Sequence, residues 1–213
     1  MQHFSKDKGS NVLEGLGLKG KFVLGHIGQL REWVDLDTIL QAMIYIREVR
    51  PDIPLAFLVV GGELELEGAR AMAMRMGLAD KVAFTGIVPY DDMPLYINAM
   101  DVGIISRKRS SVSDNMFPLK LLEYMACEKP VVSTPLRGVK EIAKDKVLYA
   151  ATPEEYKEHI INLFDHEDTR KALGSGGRRM VEDGYDWEGI CSRFEALVRE
   201  TVERAMGLNS SKG

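Results

Sequence analysis

Cysteine is nearly absent: Cys127 and Cys191 are the only two in 213 residues. Sixty-odd residues apart and alone, they form neither a disulfide framework nor a metal-ligand pattern. No apolar run approaches the roughly 18 residues that a membrane-spanning helix needs. The opening Met1-Gln2-His3-Phe4-Ser5 lacks the apolar core of a signal peptide. Positive charge is not in excess either. A net charge of −4 argues against broad electrostatic binding to nucleic acid or to an anionic membrane. A cytoplasmic protein without a nucleic-acid partner is expected, reaching the inner face of a membrane only through a partner.

Familiar chemical signatures are missing too. There is no Walker loop, nucleophile elbow or zinc spacing. The turn Gly28-Gln29-Leu30-Arg31 lacks the GxGxxG spacing, and no acidic strand end follows about 20 residues later, so a dinucleotide fingerprint is absent. Gly61-Gly62 is followed by Glu63, Glu65 and Glu67. Carboxylates there suit a helix N-terminus and repel a phosphate, so this is a structural turn. Gly174-Ser175-Gly176-Gly177 has no strand before it and is expected to break a helix. Asp91-Asp92 precedes a helical pattern and is expected to cap it, as is Asp35. His26, inside an apolar run, is read as a core histidine in preference to a catalytic one.

What the chain does have is alternation. Apolar runs at 22–28, 55–60, 81–85, 101–105, 130–134 and 146–151 read as six strands. Helical patterns cover about 35–50, 64–76, 91–99, 118–127, 153–165, 168–182 and 187–206. Continuous short apolar strands separated by amphipathic helices imply a parallel sheet covered on both faces. The expected fold is α/β: one doubly wound, Rossmann-like domain over residues 21–207. A tail or linker at 1–20 precedes it, and a frayed end follows at 208–213. Such sheets bind ligands beyond the carboxyl ends of their strands.

The segment 116–134, MFPLKLLEYMACEKPVVST, places Lys120 and Glu123 three residues apart at the start of a helix that runs into a buried strand. A cation in a first helical turn is disfavoured by the helix dipole, so Lys120 asks for a reason, and a ligand phosphate supplies one. Glu123 there is also explained by the dipole alone. The preceding loop carries Arg107, Lys108 and Arg109, either a solvated basic loop or an anion contact. Arg31 is either a solvated loop arginine or a second such contact.

Taken together, the run Asn115 to Val132, the Gly86-Ile87-Val88-Pro89 turn, the segment Arg137 to Ile142 and Tyr185-Asp186-Trp187 resemble the C-terminal half of the group 1 (family 4) glycosyltransferases. Those enzymes have the two-Rossmann-domain (GT-B) architecture. The resemblance covers about residues 22–206. It implies a retaining hexosyltransferase using a UDP-, GDP- or other nucleotide sugar, with no cofactor and no metal. It implies that Glu123 binds the ribose, that amides near Phe117 and Leu119 face the diphosphate, and that the turn at Val88 holds the base. Gly28, Gln29, Arg31, Asn115 and Lys120 complete the implied site.

The sequence departs from the family pattern at several places. Asn115 stands where the family has its first Glu, facing the donor sugar, and Pro118 replaces a glycine. Gln29 replaces an arginine, and Trp33-Val34 sits where a lysine is expected. The resemblance also implies a missing N-terminal Rossmann domain or partner chain, bearing the site for an acceptor glycan or lipid. Without it the chain would bind and not transfer. Alternatives are a non-catalytic nucleotide-binding or scaffold module and another nucleotide-sugar enzyme such as an epimerase.

Overall fold

The computed structural model describes residues 4, 10–62, 65–116 and 119–206. The first half runs α1 (Ser10–Gly15), β1 (Phe22–Ile27), α2 (Leu36–Val49), β2 (Leu55–Val60), α3 (Leu66–Arg75), β3 (Val82–Gly86), a 3₁₀ turn at Tyr90–Asp92 and α4 (Met93–Asn98). The second half runs β4 (Val102–Ile105), α5 (Ser111–Asn115), α6 (Leu119–Ala126), β5 (Val131–Ser133), α7 (Arg137–Ala143) and β6 (Leu148–Tyr149). It closes with α8 (Pro153–Asp165), α9 (Glu167–Gly184) and α10 (Trp187–Ala205).

All six expected strands form, and they pair in parallel in the order β3-β2-β1-β4-β5-β6. This is the doubly wound, Rossmann-like arrangement. Every residue of β1, β2 and β4 is buried, as expected of central strands covered on both faces. Alternate side chains feed two cores. Phe22, Leu24, Phe57 and Ile104 pack with α2, α3 and α8 through Ile39, Leu40, Ala73 and Tyr156. Val23, Ile27, Leu58 and Ile105 pack with α4, α6, α7 and α9 through Ile97, Tyr124, Val139 and Val181.

Local signals set the helix ends. Asp35 caps α2, accepting from the Thr38 N–H at 3.3 Å. Thr152 and Glu155 close a capping box on α8, with Pro153 in its first turn. Asp92 does precede α4, but its side chain makes no capping hydrogen bond, and Asp91 and Asp92 form the 3₁₀ turn instead. Gly61 and Gly62 form the expected turn, with φ of 98° and 83°. Among the described residues no helix is long and apolar enough to cross a membrane.

A second expectation is overturned. Gly174, Gly176 and Gly177 do not break a helix; they lie buried within the continuous α9. A Cβ on Gly174 would overlap the Glu128 carbonyl, and one on Gly177 would meet Met125 Cγ at 2.9 Å. The glycines let α9 lie directly against α6 and the turn after it. Close packing thus overrides the poor helix propensity of glycine, a cost of about 1 kcal/mol each.

This packing predicts that Gly174→Ala lowers stability by about 1–3 kcal/mol through overpacking. Gly184→Ala, on the same helix with nothing near its missing side chain, should leave stability unchanged or slightly raised. Thermal unfolding of the two variants checks the contrast.

Candidate functional site

In the sheet order, the chain leaves β1 toward β2 on one side and β4 toward β5 on the other. The crevice between the carboxyl ends of β1 and β4 is therefore the topological switch point, the general ligand position in open α/β sheets. Three segments surround it: the loop after β1, the loop after β4, and the start of α6.

The first two are tied to each other. Val34 and Arg107 form an antiparallel bridge. The Lys108 N–H donates to the Trp33 carbonyl at 2.9 Å, and Ser106 Oγ donates to the Asp35 carbonyl at 2.7 Å. At the start of this framework Gly28 adopts φ of 101° and donates its N–H to Val60 O at 2.8 Å. A positive φ of this size is readily available only to glycine.

Helix α6 is held to β1 by Tyr124. Its buried hydroxyl accepts from the Ile27 N–H at 2.9 Å and donates to the Gly25 carbonyl at 3.1 Å. Gly103 makes room, since a Cβ there would meet the Tyr124 ring at 2.6 Å. This anchorage sets where the first turn of α6 points. Lys120 extends toward the end of β1, with Nζ 3.4 Å from His26 Nε2 and 3.5 Å from where a Gly28 Cβ would lie.

Three nitrogen bases therefore converge. Burial, then the charges of Lys120 and Arg107, hold the His26 imidazole well below its ordinary pKa. Lys120 as a residue is only half-buried. Its ammonium is nevertheless desolvated, and burial, then Arg107, bring its pKa down to about 7 against the opposing pull of Glu123. Burial also lowers Arg107, whose backbone N–H donates to Thr134 Oγ1 at 3.1 Å. Glu123 is the carboxylate of this group; burial raises its pKa and Lys120 opposes the rise. Across from it, burial and then the Glu123 charge raise Tyr90. The cluster carries more positive than negative capacity and is poorly hydrated, which suits a ligand with several negative charges. Among the described residues no group of three or more His, Cys, Asp and Glu could hold a metal.

The residues singled out in the sequence divide into those the fold gathers here and those it does not. Gly28, Lys120 and Glu123 are brought together. Val88, half-buried, packs against the core on the α4 and α6 side and anchors the turn after β3. Leu119 opens α6 and is exposed, as is Gln29. Arg31 instead lies 5.9 Å from the Trp33 ring centre and lines a crevice with Leu30, Glu65 and Met72 beside α3. Asn115 is exposed, and its amide donates to the Ser111 carbonyl at 2.8 Å. Phe117, with Pro118, lies outside the described residues.

The basic loop also splits. Arg107 is half-buried with Nη1 3.3 Å from Met116 Sδ, Lys108 is exposed, and Arg109 pairs with Asp114 at 3.5 Å. Two further residues flank the cluster. His26 is buried in β1, as expected of a core histidine, and its Nε2 also faces Lys120; a polar residue two before the strand-ending Gly28 is the signal for it. Tyr90 follows the Gly86–Pro89 turn and reaches the Glu123 side of the site.

This fold defines a class: a doubly wound, Rossmann-like domain, here with a basic cluster at its switch point. Residues 13–180 match the family described as "Glycosyl transferases group 1". The chain belongs to that family. It is 31% identical over 200 residues to the putative teichuronic acid biosynthesis glycosyltransferase TuaH of Bacillus subtilis, covering 90% of this chain and 45% of that protein. It is 26% identical over 189 residues to an uncharacterized glycosyltransferase of Methanocaldococcus jannaschii, covering 86% and 46%. The chain thus spans about half the length of these relatives.

Solved structures show the same fold. The Anabaena protein Alr3699/HepE, in complex with UDP and glucose, superposes with a TM-score of 0.79 at 19% identity, over 93% of this chain and 54% of that one. The C-terminal domain of a group 1 family protein (LpcC) from Francisella tularensis gives 0.69 at 20% identity, over 87% and 97%.

The electrostatics carry a stability consequence. Folded Lys120 binds its proton only below about 7, whereas the unfolded side chain holds it up to the usual 10.5. Between these values the unfolded state binds more protons, so stability rises with pH across that window and the penalty is complete below it. Lys120→Met should therefore raise the melting temperature at pH 6–7, with the gain shrinking toward pH 10. Melting curves of both proteins from pH 6 to 10 measure this.

Proposed function

We propose that this chain is the donor-binding half of a retaining hexosyltransferase, holding a nucleoside diphosphate sugar at the switch point. The observation that carries the reading is the placement of Lys120 and Glu123 together at the start of α6, over the end of β1. The Glu123 carboxylate accepts hydrogen bonds from both ribose hydroxyls, the charged acceptor making these bonds stronger than neutral ones. Lys120, Arg107 and the amides at the start of α6 neutralise the diphosphate, and the turn at Val88 holds the base through backbone groups. As the sugar departs, negative charge grows on the leaving diphosphate, and preorganised cations and amides stabilise that growth. The Anabaena relative of this fold was crystallised with UDP, with UDP and glucose, and with UDP-glucose, which supports a uridine nucleotide as one candidate.

Transfer needs an acceptor, a glycan or a lipid, and we place its site on a second domain or a partner chain. This chain alone then binds donor nucleotide and transfers nothing. A narrower reading has its own support. The Asn115 side chain is engaged with Ser111 and carries no charge, which favours a nucleotide-binding module that has lost the chemistry.

Isothermal titration with UDP and GDP, for the natural chain and for Glu123→Ala, tests the common core of both readings. Hydrogen bonds to a charged partner contribute about 1.5–3 kcal/mol, so the variant should bind at least tenfold more weakly. Failure of both nucleotides to bind, or equal affinity in the variant, would sink the proposal.

A further inference from the structure

We infer that seating a nucleoside diphosphate at the switch point draws one proton from solvent onto the Lys120–His26 pair, making the site a proton-linked anion seat. This rests on the reading of the site given above and adds a coupling which that reading does not require.

The geometry is a pair of bases sharing one place. Lys120 Nζ lies 3.4 Å from His26 Nε2, so the pair accommodates a proton between an amine and a neutral imidazole. His26 is fixed on β1, with 3% of its surface exposed. The neighbouring hydroxyl of Tyr124 bonds the backbone on either side of it, at Gly25 and Ile27. Gly28 sends no side chain into the space beside the ammonium. The pair is thus held against β1, beside the space left by the missing Gly28 side chain.

Charged groups face the pair from each neighbouring element. Arg107, on the segment after β4, is a permanent cation that disfavours a second charge nearby. Glu123, one turn along α6, favours it, but is itself desolvated. Beyond Glu123 stand Tyr90 and Tyr124, both with pKa values raised above the ordinary phenol value, by burial first. They remain uncharged near neutrality. Without an anion, burial and Arg107 outweigh Glu123, and Lys120 titrates at about 7. An incoming ligand with two or more negative charges reverses the balance, because an opposite charge within about 4–6 Å favours the ionised amine. The step is simple: the amine lone pair takes a proton from water or buffer, and no covalent bond of the ligand changes.

At pH 8 a free Lys120 with this pKa is roughly one-tenth protonated, so binding should take up about 0.9 proton. At pH 6 the uptake should be about 0.1. Affinity should fall up to tenfold per pH unit above about 7.5.

The experiment is calorimetric titration of the full chain with UDP, and separately with inorganic pyrophosphate, at pH 8 in HEPES and in Tris. The UDP phosphates are already ionised at this pH, since a phosphate monoester's second pKa is about 6; pyrophosphate keeps its last weakly acidic proton, so protons are counted with UDP and pyrophosphate reports binding alone. The difference in binding enthalpy between the buffers then counts protons taken up by the protein. We expect close to one for the natural chain and close to none for Lys120→Arg, whose guanidinium is always charged. The affinity of that variant should no longer follow pH between 7 and 9. Binding with the same enthalpy in both buffers overturns the coupling and leaves the nucleotide reading standing. Undiminished uptake in Lys120→Arg overturns it too. If neither UDP nor pyrophosphate binds the natural chain, the coupling and the nucleotide reading fall together.

Discussion

The arrangement of the site depends on one hydroxyl group. Tyr124 Oη bonds the backbone of β1 at Gly25 and Ile27, which fixes α6 in height and rotation over the central strand. Lys120 and Glu123 precede Tyr124 on that helix, so the same contact aims them at the carboxyl end of β1. A buried hydroxyl with both its donor and its acceptor used has a single satisfied position. The glycine at 103, under the ring, is the space this position requires. Sheet, helix and site are thus in register because of a contact with no chemistry of its own.

What the register assembles is electrostatically costly. Lys120 and Arg107 are like charges in a poorly hydrated crevice, and His26 stays neutral beneath them. Nothing in the fold benefits from this, since burial of unpaired charge destabilises. Elsewhere the chain pairs its charges on the surface: Arg50 with Asp52 and Asp165, Arg137 with Glu141, Lys171 with Glu167. The contrast marks the switch point as a place where stability is given up, the ordinary relation between functional sites and the scaffolds that carry them.

The sheet was legible in the sequence because its strands are buried on both faces and read as unbroken apolar runs. The helices were legible where an apolar stripe and a cap coincide, as in α2 and α8. Short helices were not: α5 lies in a Ser-rich stretch that reads as loop, and α7 is a two-turn helix inside a segment noted only for its motif. The glycines of α9 were misread because propensity is a local property and their reason is α6, some fifty residues away. The site was legible through Lys120 and Glu123, which share a helix. Gly28 was legible too, but which residue of the basic loop joins the site was not, because that depends on the bridge between Arg107 and Val34, and the meaning of His26 depends on Lys120, ninety-four residues later. Asn115 stands at a motif position where the family has another residue and Arg31 lies near one, yet Asn115 bonds its own helix and Arg31 lies beside Trp33.

The central claim is that the ligand lies at the end of β1 against α6. A crystal structure of the chain soaked with UDP tests it most directly. The account predicts density for the ribose at Glu123, for the diphosphate between Lys120 and the start of α6, and for the base at Val88. Nucleotide density elsewhere would contradict it, for instance in the broad groove lined by Asp145, Arg179 and Tyr185 beside α9, with the switch point left empty.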